Sequence, residues 1–453
     1  MAATRYASVL GLGFGDCGKG HFVDALTRQW RAHTVVRFNG GAQAGHNVVT
    51  PHAASNWPGR HHTCSQFGAG TFVAGVRTLL IDPMIVHPGA LLAEAEALAR
   101  SGVHDALLRI GIDGRCRVTT PFHQAAGRLR ELLRGAAAHG TCGVGVGETV
   151  RHGLEYPDLV LRYADLQGTA SGLLCRLQQI RETLLAEFSC REPLEHSADF
   201  EREMQMLRDD AAPARWLAAA QALARSCPPV SDELMEGQLK QPGCVLFEGA
   251  QGVLLDEWRG FHPHTTWSSI NTEAIASVAT RFNIDTGIEH LGVLRTYVTR
   301  HGAGPLPTHD PALDGALPEP HNTGHGRQGA FRRGHPDAVL LRYALDVIGG
   351  LSGLLISHLD VFQREISLKW CDSYAVNRPS PEAPSSVRRL PVGVSGDLDH
   401  QVSLTNFLQS ARPEYDPTPV RSAAEFLNRV KGVTDLPVYF TSYGETCSDV
   451  REN

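Results

Sequence analysis

The sequence predicts one large α/β domain in which helices flank a doubly wound, mostly parallel sheet. Short apolar segments typical of strands alternate with amphipathic helical patterns along most of the 453 residues. Several of these segments run directly into glycine-rich or polar loops, which is where open α/β sheets bind their ligands. We expect a helical insertion at about 155–240 and an irregular excursion at about 374–420 within this single domain.

The first strand leads into a glycine-rich loop that a helical pattern follows. Gly13, Gly18 and Lys19 have the spacing of a phosphate-binding P-loop, in which backbone N–H groups and a lysine neutralise phosphate oxygens. Gly20 stands where that motif has the Ser or Thr that holds magnesium, so Asp16 is the candidate magnesium ligand. The alternative is an ordinary strand-to-helix turn with an exposed lysine.

Polar or glycine-rich loops recur farther along the chain, most of them directly after predicted strands. His46 lies in one of them, and because its neighbours are too small to bury it, a site role is favoured over a packed core histidine. Thr141 lies among glycines that suit a second anion contact. A long loop at 318–335 contains arginines, which favour anion binding. The other polar segments are 248–252, 262–269, 299–305, 357–360 and 442–444.

The composition excludes several classes of protein. A net charge of -6 and a pI of about 6.4 do not fit non-specific nucleic-acid binding. No apolar run reaches membrane-spanning length and no secretion signal is recognisable, so we expect a cytoplasmic protein. The ten cysteines contain no Cys-x-x-Cys pair and the 22 histidines show no metal-ligand spacing, so we expect reduced thiols without a disulfide framework or a zinc site.

The ordered set of motifs resembles the adenylosuccinate synthetases, the GTP-dependent ligases that join aspartate to IMP. The family's Trp-Gly-Asp-Glu-Gly-Lys-Gly-Lys falls on 14–21, and its Gly-Gly-x-Asn-Ala-Gly-His falls on 40–46. Segments 247–256 and 299–308 match two further family motifs almost without change. The guanine-reading Thr-Lys-x-Asp falls on 357–360. The resemblance therefore runs through most of the chain.

The resemblance implies a two-step reaction that depends on Mg²⁺. Asp16 would be the general base at N1 of the purine, whose 6-oxygen then attacks the γ-phosphate of GTP. His46 would act as an acid on the transferred phosphoryl group, Lys19 would balance its charge, and Gln251 would hold the 6-oxygen. The carboxylate of Asp16 and the carbonyl of Gly45 would bind the metal. The amino group of aspartate would then displace phosphate.

The resemblance also implies the binding residues and a homodimer. Arg151 would reach into the partner subunit, and Asp360 would accept hydrogen bonds from guanine. The implied GTP-binding residues are Gly15, Gly18, Lys19, Gly20, Asp360, Ser442 and Gly444. The implied residues for the purine nucleotide are Asp16, Gln43, Thr141, Arg151, Gln251 and Thr266. The implied aspartate-binding residues are Thr323, Arg327 and Arg332.

The chain also departs from the family pattern. In the aspartate loop His325 takes the place of the first arginine, and the sequence does not decide which of Arg327, Arg332 and Arg333 meets the substrate carboxylate. Substituted positions elsewhere are Cys17, His21, Gln43, Cys142, Val144 and 443–446. Two alternatives follow: a related ligase that uses GMP, dGMP or another amine donor, and a GTP-binding protein without ligase activity. Asp16, His46 and Gln251 argue against the second alternative, because a switch needs no purine base or acid.

Overall fold

The computed structural model describes residues 4–51, 60–190, 197–317, 319, 321–322, 326–375 and 386–453. Its strands are β1 Arg5–Gly11, β2 Ala32–Arg37, β3 His46–Val49, β4 His61–Cys64, β5 Arg77–Leu80, β6 Ile110–Asp113, β7 Pro229–Val230, β8 Cys244–Glu248, β9 Ile288–Arg295, β10 Val298–His301, β11 Phe331–Gly334, β12 Gly353–Ser357, β13 Cys371–Ala375, β14 Ser386–Val387, β15 Arg412–Tyr415, β16 Val438–Ser442 and β17 Val450–Glu452. Its helices are α1 Lys19–Gln29, α2 Pro88–Arg100, α3 Pro121–Arg134, α4 Val146–Glu155, α5 Ala170–Ser189, α6 Ala198–Arg208, α7 Ala212–Ser226, α8 Asp232–Leu239, α9 Thr272–Arg281, α10 Pro311–Ala316, α11 Ala338–Ile348, α12 Leu398–Ser410 and α13 Ala423–Thr434.

Ten strands form the central sheet in the order β17-β16-β12-β9-β1-β8-β2-β5-β6-β7. Every neighbouring pair is parallel except β16 and β17. The structure thus confirms the predicted mostly parallel sheet. β2 lies on one side of β1, whereas β9 and β12 lie on the other. The strand order therefore reverses beside β1, and a crevice opens there at the carboxyl ends of the strands.

Helices cover both faces of the sheet, which explains why its middle strands read as continuous apolar runs. β8 and β12 are buried at every position, and β1 at every position after Arg5. Two large apolar clusters lie on the two faces. None of the helices in the described ranges is both long and apolar enough to cross a membrane.

The two predicted insertions differ in character. Helices α5 to α8 fill most of the region from 155 to 240, and the buried side chains of α5 recur at helical spacing, as at Leu173, Leu177, Ile180 and Leu184. In the described part of the region from 374 to 420, the structure is more regular than the sequence indicates. There α12 lies in the chain between β14 and β15, and β13, β14 and β15 form a small antiparallel sheet of order β14-β13-β15. The short, weakly patterned strands of this sheet depend on each other for pairing, so they carry little signal of their own.

Candidate functional site

A cleft of about 900 Å³ opens at the carboxyl ends of β1, β12 and β16. It contains most of the residues that the sequence assigned to GTP, the metal and catalysis. Those that line it are Asp16, Gly18, Lys19, Gly20, Gly45, His46, Asp360, Ser442 and Gly444. Gly15 lines a separate small cavity behind the loop. The tertiary structure thus gathers segments more than 400 residues apart in sequence.

The loop after β1 presents the start of α1 to this cleft. Gly18 has the left-handed conformation (φ 91°), and no side chain of the described residues caps the helix. The first backbone N–H groups of α1 are therefore available to an anion, which the helix dipole also favours. Lys19 is only 4% exposed, and its Nζ lies 3.8 Å from Sγ of Cys17. The alternative of an exposed lysine in an ordinary turn is therefore wrong.

Gly20 allows α1 to approach β3 closely. A Cβ atom at this position would lie 2.6 Å from Cβ of His46 and 3.0 Å from its carbonyl carbon. Any side chain here would displace one of the two segments. The residue that breaks the P-loop pattern therefore brings the imidazole beside the anion-binding helix end.

His46 lies on β3 and shares a short hydrogen bond with Glu248, the last residue of β8. The distance from its Nδ1 to Oε1 of Glu248 is 2.6 Å, and the other carboxylate oxygen accepts from the N–H of Ala69 at 2.9 Å. Nε2 of His46 is buried and has no partner among the described residues. The expectation that small neighbours leave His46 unburied is wrong, since the ring is 5% exposed. The unpartnered Nε2 is the atom it can offer to a substrate.

Burial and the carboxylate act in opposite directions on this pair. Burial lowers the pKa of His46 to about 4, although Glu248 opposes that shift. Burial by itself would raise the pKa of Glu248, but its contact with His46 and the nearby Arg37 outweigh burial and lower that pKa. The imidazole is therefore neutral, with Nδ1–H donating to an ionised carboxylate. Glu248 is a site residue to which the sequence analysis gave no role, although it lies within the recognised motif at 247–256.

Asp16 and Gln251 are both held in the left-handed region, at φ 46° and 56°. Such backbone strain in non-glycine residues is concentrated at functional sites. The carboxylate of Asp16 lies 3.6 Å from Nε2 of His301, and its carbonyl accepts from Arg295 at 2.7 Å. Both polar side-chain atoms of Gln251 are buried without a partner in the described part of the chain. These unpaired atoms indicate that a ligand completes the site.

Gln43 and Gln251 converge on one point beside Gly40. A Cβ atom added at Gly40 would lie 3.3 Å from Nε2 of Gln43 and 3.4 Å from Oε1 of Gln251. The amide oxygen of Gln43 is also buried and unpartnered among the described residues. Two predicted nucleotide-binding side chains therefore meet, although 208 residues separate them in sequence.

The far end of the cleft contains the predicted guanosine residues. Asp360 pairs with Arg364 at 3.0 Å, and Oγ of Ser442 donates to the carbonyl of Gly444 at 3.1 Å. His21 and His358 stand where the family has lysines. Burial lowers the pKa of His21 to about 4 and that of His358 well below its usual value, so neither ring carries a charge near neutral pH. This end of the cleft therefore lacks two cations of the family pattern.

Five of the six residues predicted for the purine nucleotide substrate do not line this cleft: Gln43 and Gln251, which meet beside Gly40, and Thr141, Thr266 and Arg151. Thr141 is exposed, and its backbone N–H donates to Glu131 at 3.4 Å. Oγ1 of Thr266 donates to the carbonyl of Leu255 at 3.0 Å. Arg151 forms ion pairs within its own chain, with Glu148, Glu155 and Glu187.

The structure separates the three arginines that the sequence could not rank. Arg327 forms an ion pair with Glu203 of the helical insertion at 2.9 Å, and Arg333 lies 3.7 Å from Asp314. Arg332 stands opposite Arg300 in the β10–β11 ladder, and burial lowers the pKa of both guanidinium groups.

No carboxylate of the described residues forms an ion pair with Arg332 or Arg300. The guanidinium of Arg300 lies 4.0 Å from the ring centre of Phe14 in the loop after β1. Half-buried Arg332 and buried Arg300 therefore form a cationic pair beside that loop. Thr323 lies outside the described residues.

Comparison with known proteins gives consistent matches over nearly the whole chain. The sequence profile described as adenylosuccinate synthetase matches residues 8–450. The adenylosuccinate synthetase of Marinomonas sp. (strain MWYL1) is 32% identical, with 96% of this chain and 95% of that protein covered. That of Azotobacter vinelandii is 33% identical, with 96% and 91% covered.

Two solved structures resemble the fold. The fully ligated adenylosuccinate synthetase from Plasmodium falciparum superposes with a TM-score of 0.77 at 18% identity, covering 99% of this chain and 100% of that chain. The cyanophage S-2L succinoaminodeoxyadenylate synthetase, bound to dGMP and dATP, gives 0.57 at 13% identity, covering 99% and 95%.

Proposed function

This chain belongs to the adenylosuccinate synthetase family, and from that membership we infer which reaction its cleft performs. The protein is a C–N ligase that joins L-aspartate to IMP with consumption of GTP, giving adenylosuccinate, GDP and phosphate in purine biosynthesis. The observation that carries this function beyond family membership is the meeting of Asp16, Lys19 and His46 in one cleft. A base, a phosphate-binding cation and an imidazole are together the groups that phosphoryl activation of a purine oxygen requires.

We propose that GTP binds with its phosphates at the start of α1 and Lys19, and with its guanine toward Asp360. Asp16 takes the proton from N1 of IMP, and the 6-oxygen attacks the γ-phosphorus. The new bond joins the 6-oxygen to phosphorus, and the bond from phosphorus to the β-phosphate oxygen of the leaving GDP breaks. Gln251, whose buried amide is unpartnered among the described residues, donates to the 6-oxygen as charge develops there.

His46 contributes through its free Nε2. Burial by itself favours the neutral ring, but an incoming phosphoryl group brings negative charge that favours imidazolium. Glu248 holds Nδ1–H and stabilises the positive ring when it forms. We therefore propose His46 as the acid and Glu248 as the residue that orients it. Their arrangement resembles a carboxylate–imidazole pair in which the carboxylate itself is not protonated.

The second step replaces the phosphate at C6 with the amino group of aspartate. The nitrogen forms the new C–N bond, and inorganic phosphate leaves with the electrons of the C–O bond. We propose Arg332 as the side chain that binds the substrate carboxylate, because its half-buried guanidinium forms no ion pair with a carboxylate of the described residues. Arg327, already paired with Glu203, is the weaker candidate.

Magnesium fits the donor set of the cleft. The carboxylate of Asp16 and the carbonyl of Gly45 both line it, and hard oxygen donors are the ligands that Mg²⁺ prefers. When bound, the ion would neutralise charge on the GTP phosphates. These two residues would hold it, while Lys19 supplies the fixed positive charge beside them.

We also propose a cytoplasmic homodimer in which Arg151 acts at the partner's site. Arg151 lies on α4, and Leu154 of this helix is exposed. Tyr156, directly after the helix, is also exposed. Exposed Trp267 packs against Gly147 of the same helix. Such surface apolar groups are typical of an interface. Arg151 would have to exchange its exposed partner Glu155 for the partner subunit's nucleotide. Nucleic acid and membrane are not among the proposed partners.

The test is to incubate the protein with aspartate, GTP or ATP, and each of IMP, GMP and dGMP, and to identify products by mass spectrometry. We expect adenylosuccinate from IMP with GTP, and a loss of at least ~10² in turnover for Asp16→Asn and for His46→Ala. Asp113→Asn is the matched control, because Asp113 is also a buried carboxylate but lies far from the cleft. It is the last residue of β6, which β8, β2 and β5 separate from β1, and it pairs with Arg281 of α9. Product from dGMP or GMP but not from IMP would instead establish the alternative ligase.

A further inference from the structure

Three side chains with metal-binding atoms are buried together outside the cleft. His62 and Cys64 lie on the inward face of β4, because alternate residues of a strand share a face, and Glu94 lies on α2. The nitrogen, sulfur and oxygen atoms of the three all lie within 4.8 Å of one another, and Nε2 of His62 is 3.8 Å from Oε1 of Glu94. The histidines of this sequence showed no metal-ligand spacing because the third member follows 30 residues later on another element.

The polar groups of this cluster are not all satisfied by the protein. Nε2 of His62 is buried without a hydrogen-bond partner in the described part of the chain. Glu94 is oriented by backbone N–H groups: those of Ser65 and Phe67 donate to Oε1 at 2.9 and 3.2 Å, and that of Gln66 to Oε2 at 2.8 Å. Oε2 therefore keeps a free lone pair. An unpaired buried nitrogen beside a fixed carboxylate and a thiol needs a partner.

We propose that His62, Cys64 and Glu94 bind one Zn²⁺ ion. A thiolate, an imidazole and a carboxylate form a mixed donor set that suits this borderline metal far better than Mg²⁺, which prefers oxygen ligands alone. Zinc would remove the proton of the Cys64 thiol, whose pKa burial otherwise raises well above its usual value. Three protein ligands leave a fourth position for water.

The position of the cluster gives the ion a structural role near the active site. Cys64 pairs directly with His46 in the antiparallel ladder of β3 and β4. A metal that joins β4 to α2 would therefore fix the hairpin that carries the catalytic imidazole. The ion would not touch substrate, because the three ligands do not line the cleft. The predicted consequence is a hairpin whose stability depends on zinc.

The whole chain is first dialysed against a chelator. It is then transferred to buffer that contains excess Mg²⁺ and GTP, which saturate the nucleotide site. We expect one equivalent of Co²⁺ to give a thiolate-to-metal charge-transfer band that Zn²⁺ abolishes, and Zn²⁺ to raise the melting temperature. Cys64→Ala should lose the band and the melting shift. Cys116→Ala, which removes an equally buried cysteine outside the cluster, should keep both.

His62→Gln provides a second variant if Cys64→Ala does not fold, and it should weaken Co²⁺ binding at least ~10-fold, as expected for loss of a ligand. The proposal is overturned if the unmodified protein gives no band and no zinc-dependent melting shift. It is equally overturned if Cys64→Ala or His62→Gln folds and binds Co²⁺ as tightly as the unmodified protein. All of these readouts are independent of ligase activity, so the proposed function can fail without affecting them.

Discussion

Because Gly20 and His46 are in close contact, we predict that one added methyl group at Gly20 strongly reduces turnover but only slightly reduces stability. In Gly20→Ala the new Cβ would start 2.6 Å from Cβ of His46, whereas ordinary contacts are 3.4–4 Å, so the imidazole must move by roughly 1 Å. A displacement of that size at a reacting group costs ~10² in turnover. Overpacking destabilises the folded state by about 1–3 kcal/mol, and the higher helix propensity of alanine offsets about 1 kcal/mol of this loss. The net loss of stability is therefore about 0–2 kcal/mol.

The assay is steady-state kcat at saturating GTP, IMP and aspartate, together with urea unfolding of the same samples. Gly237→Ala is the matched control, since it lies within α8 and its added Cβ would meet nothing within 4 Å. We expect the control to keep kcat and to gain about 0.5–1 kcal/mol of stability. Normal kcat in Gly20→Ala would refute the view that this contact positions His46.

Three further predictions concern specificity and pH. Asp360→Asn should reduce the preference for GTP over ATP by ~10², measured as the ratio of kcat/KM values, and an unchanged ratio would show that another group reads guanine. Arg332→Leu should raise the KM for aspartate ~30- to 150-fold, whereas Arg327→Leu should change it much less. Steady-state kinetics with aspartate varied is the measurement, and a larger effect of Arg327→Leu would contradict the structural ranking. Burial raises the pKa of Asp337 from 3.8 to about 6. Between these two pH values the folded state retains a proton that the unfolded chain loses. The free energy of unfolding therefore falls as the pH rises from about 4 to above 6. In the unmodified protein this fall should amount to about 3 kcal/mol between about pH 4 and pH 7, measured by urea unfolding. Asp337→Asn keeps the side-chain oxygen that caps α11 and should abolish the fall.

Local signals in the sequence were sufficient for the fold class and for part of the site. Gly18 and Lys19 follow a strand and start a helix, and this order alone indicates an anion site because backbone N–H groups and the helix dipole are local properties. Asp360 comes shortly after β12 and Ser442 is the last residue of β16, so their common position at one edge follows from the parallel sheet.

Other features depend on contacts between distant segments. The sequence does not show that Gly20 must lack a side chain, because the obstacle is His46 on another strand. The partner of that imidazole, Glu248, is 202 residues away, and their contact exists only because the end of β8 lies beside the start of β3.

The linear sequence specifies the chemical groups and their order along the chain: a phosphate-binding loop, a base, an imidazole and arginines in a mostly parallel α/β domain. The tertiary structure decided which of those groups are free to act. It pairs Arg327 with Glu203 while leaving half-buried Arg332 without an ion pair to a carboxylate of the described residues. The physical reason is that burial and pairing set the charge and availability of a side chain, and both are properties of neighbours that packing, rather than chain order, supplies.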